Sequence, residues 1–320
     1  MRPRPPLCRS RRSLDAAMGR TAVGVPWRKF ALPVGDVSVQ VTEWGAPTAD
    51  VTVVLTHGWT LSARIWEDVA ESLVAADPAV RVIAHDHRGH GRSDRVATAS
   101  IEQLADDLAV VIETMAPSGP VILGGHSLGG MALLALAERH PALVAGRVTG
   151  VALVASSAGE LMGAVRRVPG VETVMRAALA VAARVRTPRR PLVLMRQGAR
   201  GAFGRRPRRR DLNRAVLQAA QSDPRAVAAL GRSILAHHRY DALAAFADRG
   251  VVVMAGTRDW LTSPRHARRI AERLPHAGLV VFEGAGHFLP YERREAVTAH
   301  LLSLTGASRR SATAASEVAG

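Results

Sequence analysis

Two kinds of segment alternate along this chain, and they differ in the spacing of their apolar residues. Short runs rich in valine and isoleucine are typical of buried β-strands, and longer segments with an apolar residue every three or four positions are typical of amphipathic helices. The strand-like runs lie at 36–44, 51–55, 80–86, 120–125, 148–156, 250–256 and 278–284. The helix-like segments lie at 63–77, 100–116, 263–275 and 290–304, with another after residue 127. Because strands and helices alternate, the pattern predicts an α/β fold with a mostly parallel central sheet and helices on both faces.

This alternation stops between residues 158 and 249 and then resumes. Three helices are predicted within that arginine-rich segment, at 171–186, 211–221 and 223–239. We interpret residues 158–249 as a helical cap inserted over the strand ends, and residues 31–157 and 250–306 as the α/β core. Residues 1–30 form a basic leader that we expect to be disordered, and residues 307–320 a flexible tail.

The net charge of +16 is concentrated in the leader and the cap. Residues 160–214 alone hold fifteen arginines against three acidic residues, whereas the presumed core is nearly neutral. Basic surfaces attract nucleic acid or anionic membranes. We expect no nucleic-acid partner, since the chain lacks an RNP-like aromatic strand, a zinc-finger spacing and an OB pattern. Weak peripheral contact of the arginines with an anionic membrane stays open, although a solvated face is the simpler interpretation.

Three features of the sequence bear on the cellular compartment. No run of about 18 uncharged apolar residues occurs, which argues against a membrane-spanning helix. The one cysteine, Cys8, cannot form an internal disulfide, so a reducing compartment is the default. The segment SRRSL resembles a twin-arginine export signal, but Asp15 and Arg20 interrupt the apolar stretch that such a signal needs. We therefore expect a cytoplasmic protein; the sequence does not determine its oligomeric state.

The segment VILGGHSLGG places a serine at the joint between a strand and a helix. Gly125, Ser127 and Gly129 form the pattern G-x-S-x-G, and the buried-type strand before it and the helix after it give this short pattern its weight. Such a turn is strained and needs small neighbours, which Gly125 and Gly129 supply. A serine that merely caps the helix is the alternative interpretation.

A carboxylate and a histidine follow later in the chain, each just after a strand. Asp259 follows the strand 250–256, and His287 follows the strand 278–284. Both would lie at the carboxyl edge of the sheet, where open α/β sheets place their sites. A serine becomes nucleophilic when a histidine removes its proton and a carboxylate orients that histidine, and the order Ser, Asp, His suits such a turn. A turn aspartate and a buried structural histidine are the alternatives.

Together these features resemble the α/β-hydrolase fold superfamily, over residues 35–157 and 250–304. The resemblance implies a nucleophile at Ser127, an orienting acid at Asp259 and a general base at His287. An attacking serine forms an acyl-enzyme, so the implied enzyme is an α/β-hydrolase that cleaves carboxylic esters, including lipid esters or thioesters, with a small acyl ester as its partner. Cofactor-free haloperoxidases and perhydrolases with the same triad remain an alternative, as does a non-catalytic, ligand-binding member of the fold.

The resemblance also implies an oxyanion hole, the pair of N–H donors that binds a developing negative oxygen. His57-Gly58 follows the strand 51–55 and is similar to the family's His-Gly turn, so the backbone N–H of Trp59 would be one donor. The backbone N–H of Leu128, at the start of a helix, would be the other. The Trp59 indole is then free to line an acyl pocket or to pack against its surroundings.

Two further clusters allow more than one interpretation. Histidines and an aspartate crowd the segment HDHRGHGRSD, at 85–94, and could ligate zinc. The same segment resembles the family's D-x-R-G-x-G-x-S loop, and on that ground we expect no metal and no cofactor. The cap contains an apolar helix face that suits acyl chains, although packing on the core is favoured. The residues of this apolar face are Val171, Val174, Met175, Leu179 and Val181.

Overall fold

One β-sheet runs through the part of the chain that the computed structural model describes, which is residues 17–161, 169–185, 188 and 192–319. Its strands are β1 (Ala17–Arg20), β2 (Pro26–Val34), β3 (Val37–Trp44), β4 (Val51–Thr56), β5 (Val80–His85), β6 (Val121–His126), β7 (Val148–Val154), β8 (Gly250–Gly256) and β9 (Gly278–Phe282). Across these residues the strand order is β1-β2-β3-β5-β4-β6-β7-β8-β9. The predicted α/β fold class is confirmed.

The strand order fixes where a site can form. Strands β1 to β3 pair antiparallel, β3 pairs antiparallel with β5, and the pairs from β5 to β9 are parallel. Every residue of β4, β5 and β6 is buried, as expected for apolar strands covered on both faces. The chain passes from β4 to β5 on one side and then to β6 on the other. Such a reversal opens a crevice beyond the carboxyl ends of β4 and β6.

Helices cover both faces of this sheet. They are α1 (Glu67–Ala76), α2 (Ile101–Met115), α3 (Leu128–Arg139), α4 (Pro141–Arg147), α9 (Pro264–Arg273), α10 (Leu289–Glu292) and α11 (Arg294–Ala319). Helices α2, α3 and α9 pack on one face and α1 and α11 on the other, each with its own apolar cluster. Helix α2 begins with a capping box formed by Ser100 and Gln103. The site is therefore backed by two packed layers.

The segment between β7 and β8 is helical where the structure describes it. It contains α5 (Val171–Ala182), α6 (Leu192–Arg200), α7 (Arg209–Ala219) and α8 (Pro224–Ala236), followed by a 3₁₀ helix at Asp241–Phe246. Helix α6 was not expected from the sequence. Packing of the apolar α5 face on the core was favoured above, but no residue of α5 is fully buried, and the half-buried Leu179 lies against Gly231 of α8. We refer to the described part of residues 158–249 as the cap.

The sheet begins inside the segment that the sequence assigned to a disordered leader. Strands β1 and β2 lie within residues 17–34, and β2 pairs with β3 over its whole length. The charges that suggested disorder are paired: Arg28 bonds Glu43, and Lys29 lies 3.4 Å from Glu67. Helix α11 likewise continues to Ala319, into the segment predicted as a tail. Cys8 and the SRRSL segment lie outside the described residues.

Candidate active site

Ser127 lies in the sharp turn between β6 and α3. Its backbone adopts φ 54° and ψ −117°, a positive φ that is strained for any residue with a Cβ. The turn is held from both sides: the Ser127 N–H donates to the Val154 carbonyl at 2.9 Å, and the Ser156 hydroxyl donates to the Ser127 carbonyl at 2.8 Å. Although Ser127 is the N-cap residue of α3, its hydroxyl makes no capping hydrogen bond. The capping interpretation therefore fails, and the hydroxyl is available for chemistry.

Three glycines allow the backbone to close around this serine. A Cβ on Gly125 would lie 2.5 Å from the Gly130 nitrogen, and one on Gly129 would lie 2.4 Å from the Thr56 carbonyl oxygen. A Cβ on Gly58 would lie 3.2 Å from the Ser127 Cβ. The predicted motif glycines are thus required by close backbone approach, and Gly58 brings the turn after β4 directly against the serine.

Asp259 and His287 meet at the carboxyl ends of β8 and β9. The His287 Nδ1 lies 2.8 Å from Asp259 Oδ2, and both side chains are buried. Because a carboxylate only accepts, Nδ1 carries a proton, and in the neutral ring the free lone pair is then on Nε2. Burial raises the pKa of Asp259, but attraction to His287 and hydrogen bonds from His287 and Thr262 outweigh it and hold that pKa below its ordinary value. The carboxylate thus stays ionised and fixes the imidazole tautomer.

Thr262 was missed by the sequence analysis and completes the surroundings of this carboxylate. Its hydroxyl lies 2.8 Å from Asp259 Oδ2 and 2.7 Å from the Ala155 carbonyl, and its N–H donates to Asp259 Oδ1 at 3.0 Å. The Leu261 N–H donates to the same oxygen at 2.9 Å. Bonds from an aspartate to the amides two and three positions later are typical of an Asx turn, which the segment DWLT could have signalled.

His126 links the serine turn to the histidine loop. Its Nε2 donates to the His287 carbonyl oxygen at 2.8 Å, and the two rings lie 4.9 Å apart between centroids. Burial, followed by repulsion from His287, lowers the pKa of His126 to about 3. Because Ser127 is the next residue, this bond places the His287 loop beside the serine turn. The structure thus brings the three predicted residues to one edge of the sheet.

Glu292 binds the backbone on both sides of His287. Its carboxylate accepts from the Gly286 N–H at 3.0 Å and the Phe288 N–H at 3.1 Å. It also accepts from the Gly204 N–H, which belongs to the cap, at 2.7 Å. The His287 N–H itself donates to the cap carbonyl of Ala202 at 2.8 Å. Glu292 was not predicted from the sequence, because its link to the cap through Gly204 joins residues 88 positions apart.

The predicted oxyanion donors lie in turns next to the serine. Leu128 is the first residue of α3, so its N–H has no carbonyl partner within the helix and lies at the positive end of the helix dipole. Trp59 follows Gly58, whose turn is locked by two histidines. The His87 N–H donates to His57 Nε2, and the His87 Nε2 donates to the His57 carbonyl, both at 2.9 Å. This lock holds the Trp59 backbone in place.

The Trp59 indole attaches the cap to the core. Its Nε1 donates to the Val227 carbonyl of α8 at 2.9 Å. A Cβ on Gly231, one helical turn further on, would lie 3.1 Å from the indole ring and 2.6 Å from a Leu179 methyl of α5. Of the two roles left open for this indole, packing against the cap is the one with defined contacts.

The histidines of the HDHRGHGRSD segment form a buried cluster with His57, next to the turn that contains Gly58. The ring of His87 lies 4.0 Å from that of His57 and 5.1 Å from that of His85. Within the described part of the chain, no three histidine, cysteine or acidic side chains are arranged to hold a metal ion. Both ring nitrogens of His85 lack a hydrogen-bond partner there.

This cluster makes the free energy of unfolding depend on pH. Burial lowers the pKa of His85 and of His90 from 6.5 to about 4. The unfolded chain takes up these protons at the ordinary pKa, so their contribution is complete above about pH 6.5 and is lost as the pH falls toward the lower pKa. Near the lower pKa, each histidine has reduced the free energy of unfolding by about 3 kcal/mol. We expect urea unfolding, followed by circular dichroism, to show a steep loss of stability across this interval.

His85→Leu tests whether the histidine cluster is the origin of this pH dependence. Because His85 makes no hydrogen bond through either ring nitrogen, His85→Leu removes a titrating group without leaving a donor unpaired. We expect a shallower pH dependence for His85→Leu and an unchanged one for His276→Leu, whose histidine is exposed. Equal slopes for wild type and His85→Leu would show that the cluster is not responsible.

Comparison with known proteins gives a consistent result. A family model described as the alpha/beta hydrolase fold matches residues 51–293. The chain is 38% identical over 106 residues to a bifunctional esterase/perhydrolase of Acinetobacter calcoaceticus, covering 33% of this chain and 37% of that protein. It is also 38% identical over 104 residues to a non-heme chloroperoxidase of Streptomyces lividans, covering 32% of this chain and 37% of that protein. These matches span little more than a third of the length of either relative.

A solved structure shows the same fold over most of the chain. A thermophilic esterase from Thermogutta terrifontis superposes with a TM-score of 0.70 at 22% identity, covering 88% of this chain and 98% of that one. At this identity the likeness concerns the fold alone. The family model, however, extends from β4 across the serine turn, the cap and both late loops to α10. The chain therefore belongs to the alpha/beta hydrolase fold family.

Proposed function

We propose that this protein hydrolyses carboxylic esters through an acyl-enzyme formed on Ser127. The observation that carries the proposal is the 2.8 Å bond between His287 and Asp259, next to a strained serine whose hydroxyl does not cap its helix. In the neutral imidazole that bond places the proton on Nδ1, so that Nε2 is the acceptor, as a general base requires. Names among the relatives, which include an esterase/perhydrolase, support the same chemistry.

In the proposed reaction His287 Nε2 takes the Ser127 proton as Oγ attacks the ester carbonyl. Negative charge develops on the carbonyl oxygen, and the N–H groups of Trp59 and Leu128 bind it; in a well-studied case, loss of one such donor costs about 3–4 kcal/mol. Asp259 stabilises the imidazolium. His287 then returns the proton to the leaving alcohol, which departs and leaves an acyl-serine. Water, activated by His287, adds to the acyl carbon and releases the acid and free Ser127.

Perhydrolysis is the second candidate, and the names of the two relatives favour it. In that reaction hydrogen peroxide replaces water at the acyl-enzyme, so that a carboxylic acid and peroxide give a peracid and water. It uses the same triad and oxyanion donors. The two activities therefore differ in the acyl donor and in the second nucleophile, but both form an acyl-enzyme and both require Ser127.

A fluorophosphonate probe tests the shared acyl-enzyme step. We expect one label per chain, located on Ser127 by peptide mass spectrometry, and no labelling of protein that was unfolded in acid before the probe was added. Rates on p-nitrophenyl esters from acetate to palmitate then define the acyl length, and peracid formed from acetate and peroxide measures the second activity. A folded protein that takes up no probe, or takes it up at another residue, would overturn the proposal and favour a non-catalytic, ligand-binding role.

A further inference from the structure

Exposed apolar side chains are concentrated on the cap and beside it. Among the described residues, eleven large hydrophobic side chains are exposed, and eight of them lie on the cap segment or in the loop after β8. Those eight are Val174, Val181, Val185, Val193, Leu194, Leu217, Trp260 and Leu261. Scattered single exposures are normal on soluble proteins, but such a bias to one region indicates a contact surface.

Helix α5 has one side toward the protein and one toward solvent. Leu179 faces α8, where its methyl group lies beside Gly231. Val174 and Val181 are seven positions apart and therefore share a helix face, and their side chains are 67% and 62% exposed. Val185, just beyond the helix, is exposed as well. This apolar stripe has nothing to cover it in the described part of the chain.

Trp260 lies next to the orienting acid Asp259 and is 67% exposed. Its indole N–H donates to the Gly201 carbonyl of the cap at 2.8 Å, so the ring is fixed rather than loose. The next cap residue, Ala202, accepts the His287 N–H. An apolar ring with one polar edge is suited to the boundary between water and lipid. The exposed ring is therefore attached to the same backbone that holds the proposed base.

The cap also carries most of the positive charge. Residues 160–214 contain fifteen arginines and three acidic residues, and exposed arginines include Arg184, Arg200, Arg205 and Arg208. A second copy of this chain would present the same charge, so a symmetric contact through this face is repulsive. A nucleic acid would match the charge but leave the valine stripe and Trp260 without a partner. An anionic lipid surface satisfies both.

We propose that the cap docks on an anionic lipid bilayer. The α5 stripe and Trp260 enter the boundary between headgroups and acyl chains, and the arginines bind lipid phosphates. None of the described helices has the length and apolar character to cross a membrane, and docking needs no such helix. This inference rests on the proposed ester hydrolysis. The substrates are then acyl esters dissolved in the membrane, which reach the protein where the cap and the His287 loop meet.

Vesicle sedimentation tests the docking directly. With the full chain at low salt, we expect binding to vesicles of phosphatidylcholine and phosphatidylglycerol that is about tenfold or more tighter than to phosphatidylcholine alone, and weaker at high salt. We expect the double variant Val174→Ser/Val181→Ser, and separately Trp260→Ser, to bind the anionic vesicles several-fold more weakly. Leu279→Ser, an exposed leucine on β9, is the matched control and should bind as the wild type does.

Two further measurements separate the possible outcomes. Hydrolysis of soluble p-nitrophenyl acetate by Val174→Ser/Val181→Ser should equal that of the wild type, so a failure of the ester chemistry and a failure of docking are distinguishable. No sedimentation with anionic vesicles at low salt overturns the proposal. Equal loss in the Leu279→Ser control overturns it as well. The proposal is also overturned if light scattering shows a wild-type dimer that Val174→Ser/Val181→Ser abolishes, because the stripe would then be an interface between two copies of the chain.

Discussion

Ser127→Ala should lower kcat for a p-nitrophenyl ester by about a millionfold while leaving the fold intact, as loss of the nucleophile does in serine enzymes of this design. A residual rate about a thousandfold above that of the uncatalysed reaction in water should remain, because the Trp59 and Leu128 N–H groups would still bind the developing oxyanion. The free energy of unfolding should hardly change, since the hydroxyl makes no capping bond that alanine would lose. Steady-state kinetics and thermal unfolding of the same preparation measure both effects.

The strained backbone supplies a second variant at the same position. Ser127→Gly should be equally inactive, yet more stable than the wild type by about 1 kcal/mol, because glycine relaxes at a φ of 54°. Ser303→Ala, on the far helix α11, is the control and should keep full activity. If Ser127→Ala retained more than a small fraction of the wild-type rate, the acyl-enzyme would have to form elsewhere.

Features that depend on local pattern were within reach of the sequence. The strand before Gly125 and the helix after Ser127 follow from apolar periodicity, and they turn a short motif into a defined turn. Asp259 and His287 were predicted to lie close together because each follows a strand, and parallel strands bring their carboxyl ends to one edge. The fold class followed from the same alternation.

Features that depend on distant partners were not within reach. Glu292 also binds the Gly204 N–H and Thr262 the Ala155 carbonyl, and only the folded chain brings these groups near. Residues 17–30 were assigned to a disordered leader because the segment is basic, but in the folded chain Arg28 pairs with Glu43 and Lys29 with Glu67. The face of α5 looked like core because its residues are apolar, whereas burial depends on what lies opposite.

Glu292 provides the sharpest test of how the histidine loop is held. Glu292→Ala leaves the N–H groups of Gly204, Gly286 and Phe288 without their acceptor, so the loop that carries His287 can shift. A displacement of about 1 Å at a catalytic group can cost about a hundredfold in rate. We expect kcat on a soluble ester to fall by about ten- to a hundredfold with little change in KM, because the substrate is still bound but the base is misplaced.

Glu292→Gln distinguishes positioning from mere stability. In the carboxylate one oxygen accepts from both Gly204 and Gly286, so a glutamine oxygen at that place keeps two of the three bonds, while its amide faces the Phe288 N–H. Its kcat should therefore lie between those of the wild type and Glu292→Ala, and its rate of fluorophosphonate labelling should follow kcat. Glu295→Ala, whose side chain is 89% exposed, is the matched control and should be silent. If Glu292→Ala lost stability but kept wild-type kcat, the carboxylate would only tie the cap to the core, and the alignment of His287 would have to come from Asp259 and His126 alone.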